Sequence, residues 1–159
     1  MKKPTTVDEL ANIIKTTVGH VKAVGTAHSW SDIADTDGVQ VVMENFKSIQ
    51  IDTYNKTATI GAGVTYSELM AALVKEELAL DNAPTFPHIN FVGSIMTGTH
   101  GFGLKNQAMS TFVREVAFVD PDGFPQKLTK AHDETEFKIF LHSFGTLGIV
   151  YEMTIQVRE

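Results

Sequence analysis

The sequence predicts an α+β fold in two small lobes, residues 1–80 and 81–159. Three observations predict it. Apolar residues recur at helical spacing behind capping signals, with short apolar or alternating runs set between those helices. Two of the runs alternate about a tight turn, as the strands of a hairpin do. At Asn82 the composition changes, because Pro84, Pro87 and the glycines at 93, 98, 101 and 103 interrupt any helix.

In the first lobe, Thr6 followed by Glu9 is a capping box, and Val7, Leu10, Ala11, Ile14 and Val18 form the buried stripe of a helix closed by Gly19. Val21 to Val24 reads as a buried strand ending in the turn Gly25-Thr26-Ala27-His28-Ser29-Trp30. Val39 to Met43 is a second strand, and residues 49–52 and 57–60 are the hairpin around Tyr54-Asn55-Lys56. Thr65 with Glu68 opens another helix, with Tyr66, Leu69, Met70, Leu73 and Val74 as its apolar face.

In the second lobe, residues 93–98 suit a short helix, and Phe112 to Asp120 reads as a strand that returns through Pro121-Asp122-Gly123 into Phe124 to Leu128. Asp133 with Glu136 caps a helix buried through Phe137, Phe140, Leu141 and Phe144. The turn Gly145-Thr146-Leu147-Gly148 then leads to a last strand, Ile149 to Val157.

The 159 residues are 43% hydrophobic, so a core large enough to need neither disulfides nor metals is available. There is no cysteine, which excludes disulfide frameworks, thiolate metal sites and cysteine nucleophiles. The net charge of −6 argues against a duplex nucleic-acid binder, which normally presents a basic face. No apolar run approaches the roughly 20 residues of a membrane span, and Met1-Lys2-Lys3-Pro4 does not begin a secretory signal, so a cytoplasmic location is expected.

Three loops of small residues could carry chemistry: 25–30, 84–103 and 145–148. Clustered backbone amides and Ser/Thr hydroxyls can cradle phosphate, which points to an anionic cofactor, and the 93–98 helix is expected to aim its amino end at a pyrophosphate. Tight turns without a ligand explain the same glycines equally well at this level. The spacing matches neither the Walker lysine loop nor the dinucleotide Gly-x-Gly-x-x-Gly. The six histidines (20, 28, 88, 100, 132 and 142) include no i, i+4 pair and no acidic partners at metal-ligand spacing, so no metal site is expected. His28 and His100 differ in lying inside the small-residue loops. His28 is the stronger functional candidate, and His100 reads equally well as a polar group satisfied by backbone.

Four segments, taken together, resemble the FAD-linked oxidases of the vanillyl-alcohol oxidase class, in the alditol oxidase and aldonolactone (gulonolactone-type) oxidase branch. They are Val24 to Ala34, Thr59 to Val64, Pro87 to Gly101 and Gly145 to Val150, in the family's order and covering nearly the whole chain. The resemblance implies a PCMH-type domain with FAD clamped between two α+β lobes. It implies that Gly25, Thr26, Ala27, His28 and Ser29 wrap the pyrophosphate and that His28 is the candidate for covalent attachment to the flavin 8α-methyl group. A neutral imidazole suits that role, since lysine there would be protonated. It further implies that Gly93, Ser94, Thr97, Gly98, Thr99, His100 and Gly101 hold the phosphates and the isoalloxazine edge, mainly through amides. Ile149 would meet the adenine end through its backbone, and Thr85 falls at a substrate-side hydroxyl position, where a turn-forming threonine is an equal reading.

The implied activity is oxidation of a hydroxyl group of a small polyol or sugar lactone by hydride transfer to flavin. A non-catalytic nucleotide-binding or interaction module with the same two lobes is the alternative. Family members continue into a substrate-binding domain and begin with a further amino-terminal strand, so the expectation is a flavin domain without its substrate-binding domain. Alone it is expected to be inactive and to expose an apolar face that favours self-association.

Overall fold

The computed structural model describes all 159 residues, Met1–Glu159. Helix α1 spans Val7–Thr16, and the Thr6 hydroxyl accepts the Glu9 N–H at 3.1 Å. Glu9 does not close the expected box on Thr6; its carboxylate accepts from the N–H and hydroxyl of Thr5. The helix ends two residues short of Val18, because Thr17 turns to extended backbone (φ −83°, ψ 124°), and Val18 is left exposed. Strands β1 (Val21–Val24) and β2 (Val39–Val42) form a two-stranded parallel sheet with Val21 opposite Val39.

The hairpin of β3 (Ile49–Asp52) and β4 (Thr57–Gly61) forms as expected, with Asp52 holding the turn through the Asn55 N–H at 2.9 Å. Helix α2 (Tyr66–Lys75) carries the full capping box: Thr65 accepts from Glu68 N–H, and Glu68 accepts from Thr65 N–H at 2.8 Å. Its Tyr66, Leu69 and Leu73 are buried, while Val74 faces outward. There follow α3 (Phe91–Met96), β5 (Val113–Val119), β6 (Pro125–Thr129), α4 (Glu134–Leu141) and β7 (Ile149–Gln156). Phe144 lies beyond α4 at φ +55° and is exposed rather than buried.

The second sheet has the order β3-β4-β7-β5-β6, antiparallel throughout. Residue 80 is therefore not where the sheets divide. They part between β2 and β3, and the hairpin of the first half joins the last strand through Ala58 opposite Ile155 and Ile60 opposite Met153. The physical reason is that a two-stranded hairpin is marginal alone, and Ala58 and Ile60 become fully buried only in the larger sheet. Alternation in sequence identifies a strand but not its partner. One continuous core, including Leu10, Val41, Ile60, Leu69, Phe137 and Met153, underlies both sheets.

Candidate functional site

At the end of β1 the chain enters residues 25–30, all exposed. None of their backbone N–H groups donates to an acceptor in the chain, and Ala27 turns the loop at φ +53°. A run of exposed amides at such a reversal is the geometry in which backbone concavities receive anions. Thr26 ties the loop down, its hydroxyl accepting the Asn90 N–H at 3.0 Å. Gly25 allows the approach: a Cβ there would stand 2.8 Å from the Asn90 Cβ, closer than real side chains come.

Asn90, 6% exposed, is the N-cap of α3. Its Oδ1 accepts the Gly93 N–H at 2.7 Å, and its Nδ2 donates to the carbonyls of Ala62 at 2.6 Å and Val64 at 3.3 Å. The Phe91 N–H also donates to the Val64 carbonyl. Of the first three amides of α3, those of Phe91 and Gly93 are thus taken by the chain's own acceptors, and that of Val92 has none. The Ser94 side chain is likewise committed to the interior. Its hydroxyl donates to the Phe91 carbonyl at 2.7 Å and lies 2.8 Å from the Tyr66 hydroxyl. Burial pushes the Tyr66 phenol up to about 12, outweighing the opposite effect of Ser94, so Tyr66 stays neutral.

Beyond α3, the N–H groups of Thr97, Gly98 and Thr99 turn back to the carbonyls of Gly93, Ile95 and Ser94. These amides and that of Gly93 shape the loop and are not free for a ligand. The amides of His100 and Gly101 have no acceptor in the chain. His100 Nδ1 lies 3.1 Å from the Gly101 carbonyl, consistent with the backbone-satisfied reading. His142, just past α4, packs beside Gly98 and brings that end of the helix next to the loop. Ile149 is buried in β7 opposite Val119, so only its backbone could face a ligand. Thr85 and His28 are both exposed.

The charges around these loops share one sign. From Asn82 to Arg114, and from Val21 to Ser31, there is no Asp or Glu, although the chain holds 19 of them, while His28, His88, His100 and Lys105 all lie in these stretches. These segments themselves therefore contribute no carboxylate that would repel a dianionic pyrophosphate. Sequence reasoning named the loops but missed Asn90 and Tyr66 as the residues that fix them. An Asn directly before an apolar turn with Gly three residues later is an N-cap pattern, and it was the available signal.

Exposed amides free of chain acceptors, loop segments without carboxylates and a glycine-permitted close approach make a fit for a dinucleotide. A protein family described as FAD binding domain matches residues 2–129. The chain belongs to this FAD binding domain family. The domain is 35% identical over 98% of its length to the alditol oxidase of Streptomyces sp. (strain IKD472 / FERM P-14339), and 30% identical over 97% to the L-gulonolactone oxidase of Mus musculus. It spans 38% and 36% of those two relatives. In fold it matches 6-hydroxy-D-nicotine oxidase from Arthrobacter nicotinovorans at a TM-score of 0.87 and 21% identity, over 99% of this chain and 36% of that one. The cofactor of this FAD-binding domain is FAD, and the fold is the PCMH-type α+β arrangement. No helix of the domain is long and apolar enough to cross a membrane.

Proposed function

We propose that this FAD-binding domain serves an oxidoreductase that oxidises a hydroxyl group of a small polyol or sugar lactone. The observation that carries the substrate class is the similarity, over nearly the whole chain, to an alditol oxidase and to L-gulonolactone oxidases. Bound FAD supplies the acceptor for the hydride leaving the hydroxyl-bearing carbon, and the protein's task is to bind and orient it.

In this reading the free amides of Gly25, Thr26, Ala27, His28 and Ser29 hold the pyrophosphate, with His28 as the covalent attachment point. The amides of His100 and Gly101 meet the isoalloxazine edge together with Thr99, while the Ile149 backbone meets the adenine end. Gly93, Ser94, Thr97 and Gly98 support the loop from behind, as their internal hydrogen bonds favour. Thr85, exposed beside the segment that packs on the start of α2, stands on the substrate side. Trp30, Phe86, Phe102 and Leu104 are exposed on the same loops and favour self-association of residues 1–159.

The test is anaerobic mixing of the FAD-loaded protein with xylitol, sorbitol, gulonolactone and galactonolactone, followed by flavin absorbance. Bleaching by a polyol or lactone in the protein expressed from its whole reading frame supports the substrate class, and no bleaching by any of the four overturns it. Residues 1–159 alone are expected to remain unbleached, because holding a donor carbon against the ring is worth roughly 7–11 kcal/mol of barrier and needs more than one wall.

A further inference from the structure

We propose that Asn90 is a positioning residue that couples the 25–30 loop to α3 through one buried amide, so that the loop's amides reach FAD already assembled. The inference rests on the loop assignment above and extends it to a residue that need not touch the cofactor.

The bonding pattern at Asn90 calls for an amide. Its neighbours are one N–H donor, from Gly93, and two carbonyl acceptors, from Ala62 and Val64. Only a side chain that accepts with one atom and donates twice with another satisfies all three, and this fixes which end is Oδ1. Asp keeps the acceptor but sets a second oxygen against two carbonyls. Ser keeps a capping acceptor and is too short to tie both.

The backbone of the same residue completes the coupling. Its N–H is the donor held by Thr26, and its Cβ is the atom against which Gly25 packs. Three segments distant in sequence therefore converge on one residue: the β1 exit loop, the 62–64 turn after β4, and α3. Release of the Ala62 and Val64 ties would leave the Asn90 backbone held by its bridge to Thr65 alone, loosening it and with it the only bond that holds Thr26. An exposed loop with no other internal backbone donors would then pay the cost of ordering when FAD binds.

The test measures FAD affinity by flavin fluorescence, at a temperature where circular dichroism shows each variant more than about 95% folded. Under that condition lost stability alone changes the dissociation constant by only about 5%, since affinity scales with the competent fraction. Asn90→Ser and Asn90→Asp, which both keep a capping acceptor for Gly93, are expected to bind FAD about tenfold more weakly. Ile155→Val, a core change in β7, is expected to stay within about twofold of the parent. Thr26→Val is expected to weaken binding by itself but to add little in the Asn90→Ser background, because both changes break one coupling. Parent-like affinity in folded Asn90 variants, or fully additive losses with Thr26→Val, would overturn the proposal. If an Asn90 variant does not fold, Thr26→Val decides alone: a loss restored by Thr26→Ser supports the coupling, and unchanged affinity overturns it. A parent chain that takes up no FAD would instead overturn the loop assignment, and the coupling with it.

Discussion

Asn90 and Thr26, 64 positions apart in the chain, are joined by a 3.0 Å hydrogen bond from the Asn90 N–H to the Thr26 hydroxyl. That bond connects the two-stranded sheet, through the loop that leaves β1, to the short helix packed on the larger sheet. It ties the 25–30 loop, whose amides have no acceptor in the chain, to the helix that leads on to the free amides of His100 and Gly101. The arrangement explains why a small residue stands at Gly25: backbone, rather than side chain, approaches the neighbouring Asn90.

His28→Ala should abolish any flavin that stays with the protein after acid denaturation, while the parent chain should retain some. Intact-mass measurement reads this directly as the presence or absence of the added flavin mass. A parent chain that binds flavin yet shows only its unmodified mass would reduce His28 to an ordinary loop residue.

Glu68 supplies a pH-dependent term. Partial burial raises its pKa, but Lys47 at 2.7–2.8 Å and the N–H and hydroxyl of Thr65 outweigh that effect and hold it below the usual 4.5. A carboxylate with a depressed folded-state pKa stabilises the fold above its unfolded value, and the benefit is lost as pH falls through the folded value. Glu68→Gln keeps a capping box, so its cost is the lost charge, at most about 1 kcal/mol for a pair this exposed. The melting temperature of Glu68→Gln should lie below that of the parent at pH 7, and the gap should close in acid. A gap that does not change with pH would show that the charge contributes nothing.

Gly148 is expected to tolerate no side chain. It sits at φ +147°, and a Cβ would fall 2.6 Å from a ring carbon of Phe118 and 2.7 Å from the Val119 carbonyl oxygen. Gly148→Ala should cost about 1–3 kcal/mol in urea unfolding, as overpacking of a filled interior does. Parent-like stability would mean that β5 and β7 can separate there without loss.

Much of the fold was legible because its signals are local. The Thr65 and Glu68 box, the Asp133 cap and the alternation of residues 49–52 with 57–60 act within a few residues, and each formed as read. Pairing was not legible, since nothing near Ala58 specifies that Ile155 lies opposite it. The ends of apolar stripes misled at Val18, Val74 and Phe144, where helical spacing continues past the last residue that meets the core. At the candidate site, small-residue density marked loops rich in backbone amides, but it could not show which amides the chain itself consumes. Gly93, Thr97, Gly98 and Thr99 looked like phosphate donors and proved to be bonded internally, whereas the amides of 25–30 were left free.

The most direct test of the two-loop cradle is titration of residues 1–159 with FAD and, separately, with FMN, followed by flavin fluorescence. In the proposed reading the loops hold the pyrophosphate and Ile149 the adenine end, so FAD should bind at least tenfold more tightly than FMN. Equal affinity for the two would show that the adenylate half is not gripped, and would contradict the assignment of residues 25–30 and 100–101 as the seat of the dinucleotide.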